Sequence, residues 1–180
     1  LNSQVERCNE ILKRLTLNPV EEDEFIDKDI NIRDYLHEII SSFKEISKKE
    51  FVFNFDQDSN PKKISKSIEI VYGLRNFIGN ANKFAKNSIF INLKSDSEFT
   101  ELTVEDDGNG YPRDIISKIG EPYLKSNYSK DKSKEGLGLG LFIGKTLLEK
   151  NFASVNCRNS KTRSGAEVII RWKNKELFNI

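Results

Sequence analysis

Apolar positions along the chain change their period several times, and each change marks an element. Leu1, Val5, Cys8, Leu12 and Leu15 are spaced four, three, four, three. That is a two-heptad seam, the pattern of a helix packed in a coiled coil or bundle. Two heptads alone are too short for a stable isolated helix, so residues 1–17 are expected to end a longer one. The stretch TLNPVEEDE interrupts the seam with a proline and acids, and residues 18–24 read as a linker. Residues 25–30 suit a short strand. The segment 32–47 carries Ile32, Leu36, Ile39, Ile40 and Phe43 at helical spacing. FVFNF (51–55) alternates as a strand does, and 64–86 read as a long helix. IFINL (89–93) and FTELTVED (99–106) read as strands joined by a polar turn. A short helix over 112–119 follows Pro112, a favoured first helical position. Residues 123–135 are rich in Lys and Ser and poor in apolar side chains, which suits a loop. Helix returns over 139–150. SVNCRN (154–159) and AEVIIRW (166–172) form a closing hairpin across SKTRSG. Helices mixed with hairpin-type strands predict an α+β fold, a two-layer sandwich of a sheet with helices on one face.

Composition narrows the class. The chain has 180 residues, 37% of them hydrophobic, enough for one domain with its own core and no disulfide or metal staple. Lys and Arg number 29 against 28 Asp and Glu, so the basic excess of a general nucleic-acid binder is missing. No apolar run approaches the length of a membrane span, and the first residues are too charged for a signal peptide. With no Met anywhere, the chain is expected to be a piece of a longer protein. Cys8 and Cys157 are far apart and outside any Cys-x-x-Cys pair, which argues against a disulfide framework or zinc site and for a reducing, cytoplasmic compartment. The single histidine, His37, cannot supply a multi-histidine metal site, and no nucleophile elbow accompanies it.

Three segments carry candidate chemistry, and each has a plain reading beside a functional one. In YGLRNFIGNANKFAKN (72–87), Asn76, Asn80 and Lys83 share one helical face. They form either a solvated stripe or a face on which an amide oxygen holds Mg²⁺ and a lysine meets phosphate. In VEDDGNGYP (104–112), carboxylates end a strand and glycines follow at once. The segment is either a plain turn or a place where Asp107 accepts from an exocyclic amine while Gly108 and Gly110 let the backbone approach a flat ligand. In EGLGLGLFIGKTLLEK (135–150), alternating glycines open a helix, a natural site for an anion. It is not a Walker A loop, because the required first glycine falls on Leu139. It is not the dinucleotide fingerprint either, because Leu141 and Ile143 stand where the third glycine belongs.

Taken together, Asn-x₃-Asn-Ala-x-Lys-Phe, then Asp-x-Gly-x-Gly, then Gly-x-Gly-x-Gly resemble the N, G1 and G2 boxes of sensor histidine kinases, with Glu121-Pro122-Tyr123 at the place of the F box. The resemblance covers about residues 25–180. It implies the Bergerat ATP-binding sandwich shared with gyrase, Hsp90 and MutL, with a mixed sheet and helices on one face. QVERCNEIL, VEDDGNG, IGEPYLKS and GLGLGLFIGKTLLE are similar to the redox-responsive RegB/PrrB branch. Carried over, the resemblance implies that Asn80 ligates Mg²⁺ with Asn76 in support, and that Lys83 contacts phosphate. It implies that Phe84 packs on the adenine side and Asp107 accepts from the adenine amine, with Gly108 and Gly110 shaping the purine pocket. Residues 111–135 would be the ATP lid, with Tyr123 and Lys125 as contacts. Gly136, Leu137, Gly138, Leu139, Gly140 and Leu141 would anchor the lid and place N–H groups at the phosphates. Gly165 matches a small residue before the last strand.

Within that superfamily, the gyrase, Hsp90 and MutL branches resemble one another in carrying a Glu four residues before the Mg²⁺ asparagine. Here Asn76 stands there, and an amide is no general base at neutral pH. That disfavours an ATPase and favours phosphoryl transfer to a histidine elsewhere. The family's phosphoacceptor lies in a His-Glu-x-x-x-Pro context; His37-Glu38 lacks the proline and reads as an ordinary helix residue. The resemblance therefore implies that residues 1–17 end the second dimerisation helix and 25–180 form the catalytic domain. ATP and Mg²⁺ would be its ligands. Its partners would be the dimerisation helices of the same protein, as a homodimer, and a response-regulator receiver domain, with no nucleic acid and no direct membrane contact. The full-length protein is expected to be anchored in a bacterial inner membrane. Cys8, at a seam position, is either small core filler or a redox-sensitive thiol near a two-fold axis.

Overall fold

The computed structural model describes residues 30–56, 63–64, 67–122 and 139–177. The seam and linker, with Cys8, lie outside these residues. Twelve elements follow in order: β1 (Ile30–Asn31), α1 (Ile32–Lys44), β2 (Glu50–Phe55), β3 (Lys63–Ile64), α2 (Ile68–Phe84), β4 (Ser88–Ser95), β5 (Phe99–Asp106), α3 (Arg113–Ile116), α4 (Gly140–Lys150), β6 (Ser154–Asn159), β7 (Ala166–Lys173) and α5 (Asn174–Leu177).

The main sheet has the order β2-β4-β5-β7-β6. Its β4–β5, β5–β7 and β6–β7 pairs are antiparallel, and β2–β4 is parallel. Sequence periodicity finds the strands but not this one parallel pair. Parallel neighbours need a long crossover, and α2 lies within it. β1 and β3 pair separately.

The strands alternate as expected of a sheet with one face packed. Ile89, Ile91, Leu93, Leu102, Val104, Val168, Ile170 and Trp172 are buried in the core with Leu36 and Ile40 of α1, Leu74, Phe77 and Ile78 of α2 and Leu148 of α4. This is the two-layer α+β sandwich that the sequence predicts. The alternate positions, among them Glu101, Thr103, Glu105 and Arg171, lie on the other face.

Two helix ends explain where the sequence boundaries shift. Asn31 caps α1, its side chain accepting from the Arg33 N–H at 2.9 Å. α2 stops at Phe84, two residues short of the expected end, because Ala85 turns to an extended conformation. The next two N–H groups, of Lys86 and Asn87, then donate to a carboxylate of another segment. The helix expected over 112–119 is one turn long, Arg113–Ile116.

Candidate nucleotide site

The site begins with two glycines that let α2 and α4 approach. A Cβ on Gly73 would lie 2.6 Å from Cγ of Leu148, and one on Gly144 would lie 3.0 Å from the Phe77 ring. A side chain at Gly73 would displace Leu148, and one at Gly144 would press on the Phe77 ring. Their closeness brings the first residue of α4, Gly140, against Asn76: a Cβ there would sit 3.4 Å from Asn76 Oδ1. Asn76 is oriented by its Nδ2, which donates to the Tyr72 carbonyl at 2.8 Å. Among the described residues no side chain caps α4, and no acid occupies its first turn. Its first-turn N–H groups and positive dipole end begin beside the Asn76 amide, an arrangement suited to an anion. Leu139 and Leu141 are half-buried, and Leu141 packs on the core.

Asn80 follows one turn after Asn76 on the same face and is half-exposed. Among the described residues, no hydrogen bond engages its side-chain amide. It is a hard oxygen donor of the type that suits Mg²⁺. Farther along, the Lys83 ammonium lies 5.3 Å from the Phe84 ring centroid, and Phe84 is 45% exposed. The end of α2 is held from below. Lys49 Nζ donates to the carbonyls of Asn82 and, at 2.7 Å, of Ala85, a cation at a helix C-terminus. Ser47 Oγ donates to Asn82 Oδ1 at 2.7 Å.

The two carboxylates at the end of β5 have different work. Asp107 Oδ1 accepts from the N–H of Lys86 at 2.7 Å and of Asn87 at 3.0 Å, and its Oδ2 also accepts from Asn87 at 3.0 Å. Burial acts to raise its pKa, but these main-chain donors, with those of Ser88 and Asp107 itself, bring the carboxyl below its ordinary value. Asp107 thus ties the α2–β4 connection to the end of β5, and both its oxygens are engaged.

Asp106 is the buried one, 3% exposed. Its Oδ1 accepts from the Gly108 N–H at 2.8 Å and the Ala166 N–H at 3.2 Å. Burial raises its pKa, partly offset by those two hydrogen bonds. Gly108 and Gly165 wall it in: a Cβ on Gly108 would lie 2.7 Å from Asp106 Oδ1 and 2.5 Å from the Phe84 carbonyl. The Asp-x-Gly-x-Gly frame fits Asp106-Asp107-Gly108-Asn109-Gly110 as written. The alternation of β5 sets the direction of Asp106. Leu102 and Val104 face inward, so period two puts Asp106 on the same side.

Gly110 has φ +72°, the left-handed region that favours glycine. A Cβ there would also strike Asn159 Oδ1 at 2.6 Å. Asn159 accepts from the Tyr111 N–H at 2.5 Å and donates to the Tyr111 carbonyl at 3.0 Å, which fixes the chain where the expected lid begins. The Tyr111 phenol bonds the Cys157 thiol, and burial pushes that thiol up to about 11, which disfavours the reactive thiolate. Ile116, Ile119, Lys145 and Cys157 line a groove of about 390 Å³ that includes none of Asn76, Asn80 and Asp106. Tyr123, Lys125, Gly136, Leu137 and Gly138 lie outside the described residues. His37 is exposed on α1 and packs edge-on against Phe53, ring centroids 4.7 Å apart.

Residues 65–176 match the model of the histidine kinase-, DNA gyrase B- and HSP90-like ATPase family. The chain belongs to this family. Membership brings ATP as the ligand of the family's domain. Among curated relatives, the sensor histidine kinase RegB of Cereibacter sphaeroides is 38% identical over 97 residues, which are 51% of this chain and 21% of RegB. The chain thus spans about a fifth of the length of that relative. Among solved structures, the catalytic domain of histidine kinase ThkA superposes with a TM-score of 0.67 at 20% identity, covering 81% of this chain and 96% of that one. Full-length ShkA, solved in complex with AMPPNP, superposes with a TM-score of 0.66 at 21% identity, covering 80% of this chain and 30% of that one. At such identities these two establish the fold of histidine kinase ATP-binding domains. Among the described residues no helix is long and apolar enough to cross a membrane.

Proposed function

We propose that this domain binds ATP with Mg²⁺ between α2, the β5 end and the start of α4, and supplies its γ-phosphoryl group to a histidine on the dimerisation helices of the same protein. A response-regulator aspartate then receives the group. The observation that carries this reading is Asn76, whose amide faces the N-terminus of α4 at the position where a hydrolase of the family would need a carboxylate. An amide cannot take a proton from water at neutral pH, so the site is suited to hold a triphosphate rather than to hydrolyse it. Phosphoryl transfer needs mainly positioning and charge stabilisation. The uncapped start of α4 and Lys83 supply positive potential toward the phosphates. Asn80 holds Mg²⁺, which when bound neutralises phosphate charge, and Asn76 supports it. Phe84 offers an apolar face to the base. Asp106, rather than Asp107, accepts from the adenine amine through the oxygen that Gly108 and Ala166 leave open.

Residues 1–17 end a dimerisation helix in this reading, 18–24 are its linker, 25–180 are the catalytic domain, and the acceptor histidine is not His37. The full-length protein is a membrane-anchored homodimer whose catalytic domain faces the cytoplasm. The RegB likeness supports a redox stimulus, with Cys8 as the thiol to test.

The test incubates the domain and γ-labelled ATP with the separately produced dimerisation helices of the full-length protein. Label on those helices, with little free phosphate, supports the reading. Steady phosphate release by the domain alone would instead mark an ATPase. ATP binding with neither outcome would mark a non-catalytic nucleotide-sensing module.

A further inference from the structure

We propose that the β6–β7 turn positions the adenine-reading carboxylate, with Glu105 as the positioning residue that grips the turn. This rests on the reading of Asp106 given above. Consecutive residues of a strand face opposite sides of its sheet. Asp106 turns toward the helices, whereas Glu105 turns to the outer face, yet Glu105 is only 6% exposed. Its Oε1 accepts from the Ser160 hydroxyl and, at 3.1 Å, from that of Thr162. Its Oε2 accepts from Arg163 Nε at 3.2 Å, and the Arg163 guanidinium stacks 3.6 Å over the Phe90 ring. One buried carboxylate thus holds three side chains of a single turn.

The turn is also closed on itself. The Ser160 N–H donates to the Gly165 carbonyl at 2.8 Å, and the Thr162 and Arg163 N–H groups donate to Ser160 Oγ at 3.1 and 3.0 Å. It leaves through Ser164, at φ +63°, into Gly165 and Ala166, which both touch Asp106. The β5–β7 ladder ends at the pair Glu105–Glu167. One step farther, the Ala166 N–H donates to the Asp106 side chain. The direction of Asp106 Oδ1 is therefore set by the Gly108 N–H from its own strand end and by a second main-chain donor, at the end of a turn that Glu105 holds from the other face. A hairpin turn of this length closes without a buried carboxylate, and burying one is costly unless it is fully bonded. Its place beside Asp106 gives that cost a use.

The test is titration calorimetry of ADP and of IDP, which lacks the exocyclic amine, on the 180-residue chain. Wild type should prefer ADP. Glu105→Ala should lower ADP affinity about tenfold and leave the weaker IDP affinity nearly unchanged. Glu101→Ala, on the same outer face and paired with Arg171 at 3.9 Å, should alter neither. The double variant Thr162→Val with Arg163→Ala removes two of the three grips from exposed positions, and should narrow the ADP preference even if Glu105→Ala does not fold. A wild-type ADP-to-IDP ratio in these folded variants, or an equal fall for both nucleotides, would overturn the proposal. Asp106→Asn separates the two levels. If it leaves the ratio intact, the Asp106 reading fails and the proposal with it. If it collapses the ratio while the turn variants do not, only the proposal fails.

Discussion

Gly165 and Asp106 lie closer than any side chain at position 165 would allow: a Cβ there would sit 1.8 Å from the Asp106 carbonyl oxygen and 2.5 Å from Oδ1. The first of these neighbours is backbone and cannot swing aside. Gly165→Ala must therefore part β5 from the turn before β7. The expected cost is about 1–3 kcal/mol or more, read as a lower urea midpoint, together with weaker ADP binding. An unchanged midpoint would show that the strand ends can separate freely.

Asp106 should reveal a conflict between stability and function. Burial raises its pKa in the folded chain above the ordinary 3.8. The folded state therefore holds its proton more tightly than the unfolded one, and the charged form works against folding as pH rises through the raised value. Asn can accept the same two N–H groups without the charge. Asp106→Asn should melt at or above the wild-type temperature near neutral pH, with the gap closing below the ordinary carboxylate range, while losing its preference for adenine. A variant that melts well below wild type at neutral pH would contradict the burial argument.

Asp107 should behave in the opposite sense. Its folded pKa lies below 3.8, so its contribution is fully present above the ordinary carboxylate range and is lost as pH falls through the lowered value. Asp107→Asn should be less stable than wild type at neutral pH, and the two melting curves should converge in acid. Nucleotide selectivity should survive, because its carboxylate works on Lys86 and Asn87. Lost selectivity in a folded Asp107→Asn would return the adenine role to this residue.

These neighbouring carboxylates show what was readable from the chain. Local periodicity is carried by near neighbours, so the helical stripe of Ile32, Leu36, Ile39 and Ile40 and the alternation of Ile89, Ile91 and Leu93 marked the core faces correctly. The polar face of Asn76 and Asn80 and the glycines before α4 were legible as motifs. The division of labour between Asp106 and Asp107 was not, because it depends on donors from Ala166, Lys86 and Asn87, which only the folded sheet brings near. The grip of Glu105 on Ser160 joins residues 55 apart and leaves no local pattern. Gly73 and Gly144 read as ordinary helix residues until the crossing of α2 and α4 gives each a neighbour. The early end of α2 has the same origin, since Asp107 captures the N–H groups that follow it.

The end of α4 breaks a local rule in a measurable way. Phe152 has φ +61°, a conformation in which a side chain costs about 1–2 kcal/mol, and the residue is 57% exposed. The Ala153 N–H closes the helix onto the Leu148 carbonyl at 3.0 Å and the Phe152 N–H onto that of Glu149 at 3.1 Å, a helix end where glycine is the usual residue. Phe152→Gly should raise the denaturant midpoint, by roughly up to 1 kcal/mol after the greater freedom of unfolded glycine is deducted. A lower midpoint would mean that the exposed ring makes contacts worth more than the strain.

Asn80 provides the sharpest test of the metal arrangement, because its substitution should remove a linkage rather than a contact. Its amide lies on the solvent side of α2 while the core side is filled by Leu74, Phe77, Ile78 and Ala81, so Asn80→Ala should leave the melting temperature within about 2 °C. Ala also suits a helix better than Asn. With Asn80 as a ligand, Mg²⁺ would tighten ADP binding to the wild type, and by reciprocity ADP would tighten Mg²⁺. In Asn80→Ala the two ADP affinities, with and without Mg²⁺, should coincide, while the metal-free value stays near wild type. Asn76→Ala removes the amide beside α4 and should weaken both values together. If Asn80→Ala keeps the full Mg²⁺ enhancement, the metal is held by the phosphates and other residues, and the polar stripe on α2 reverts to a solvated helix face.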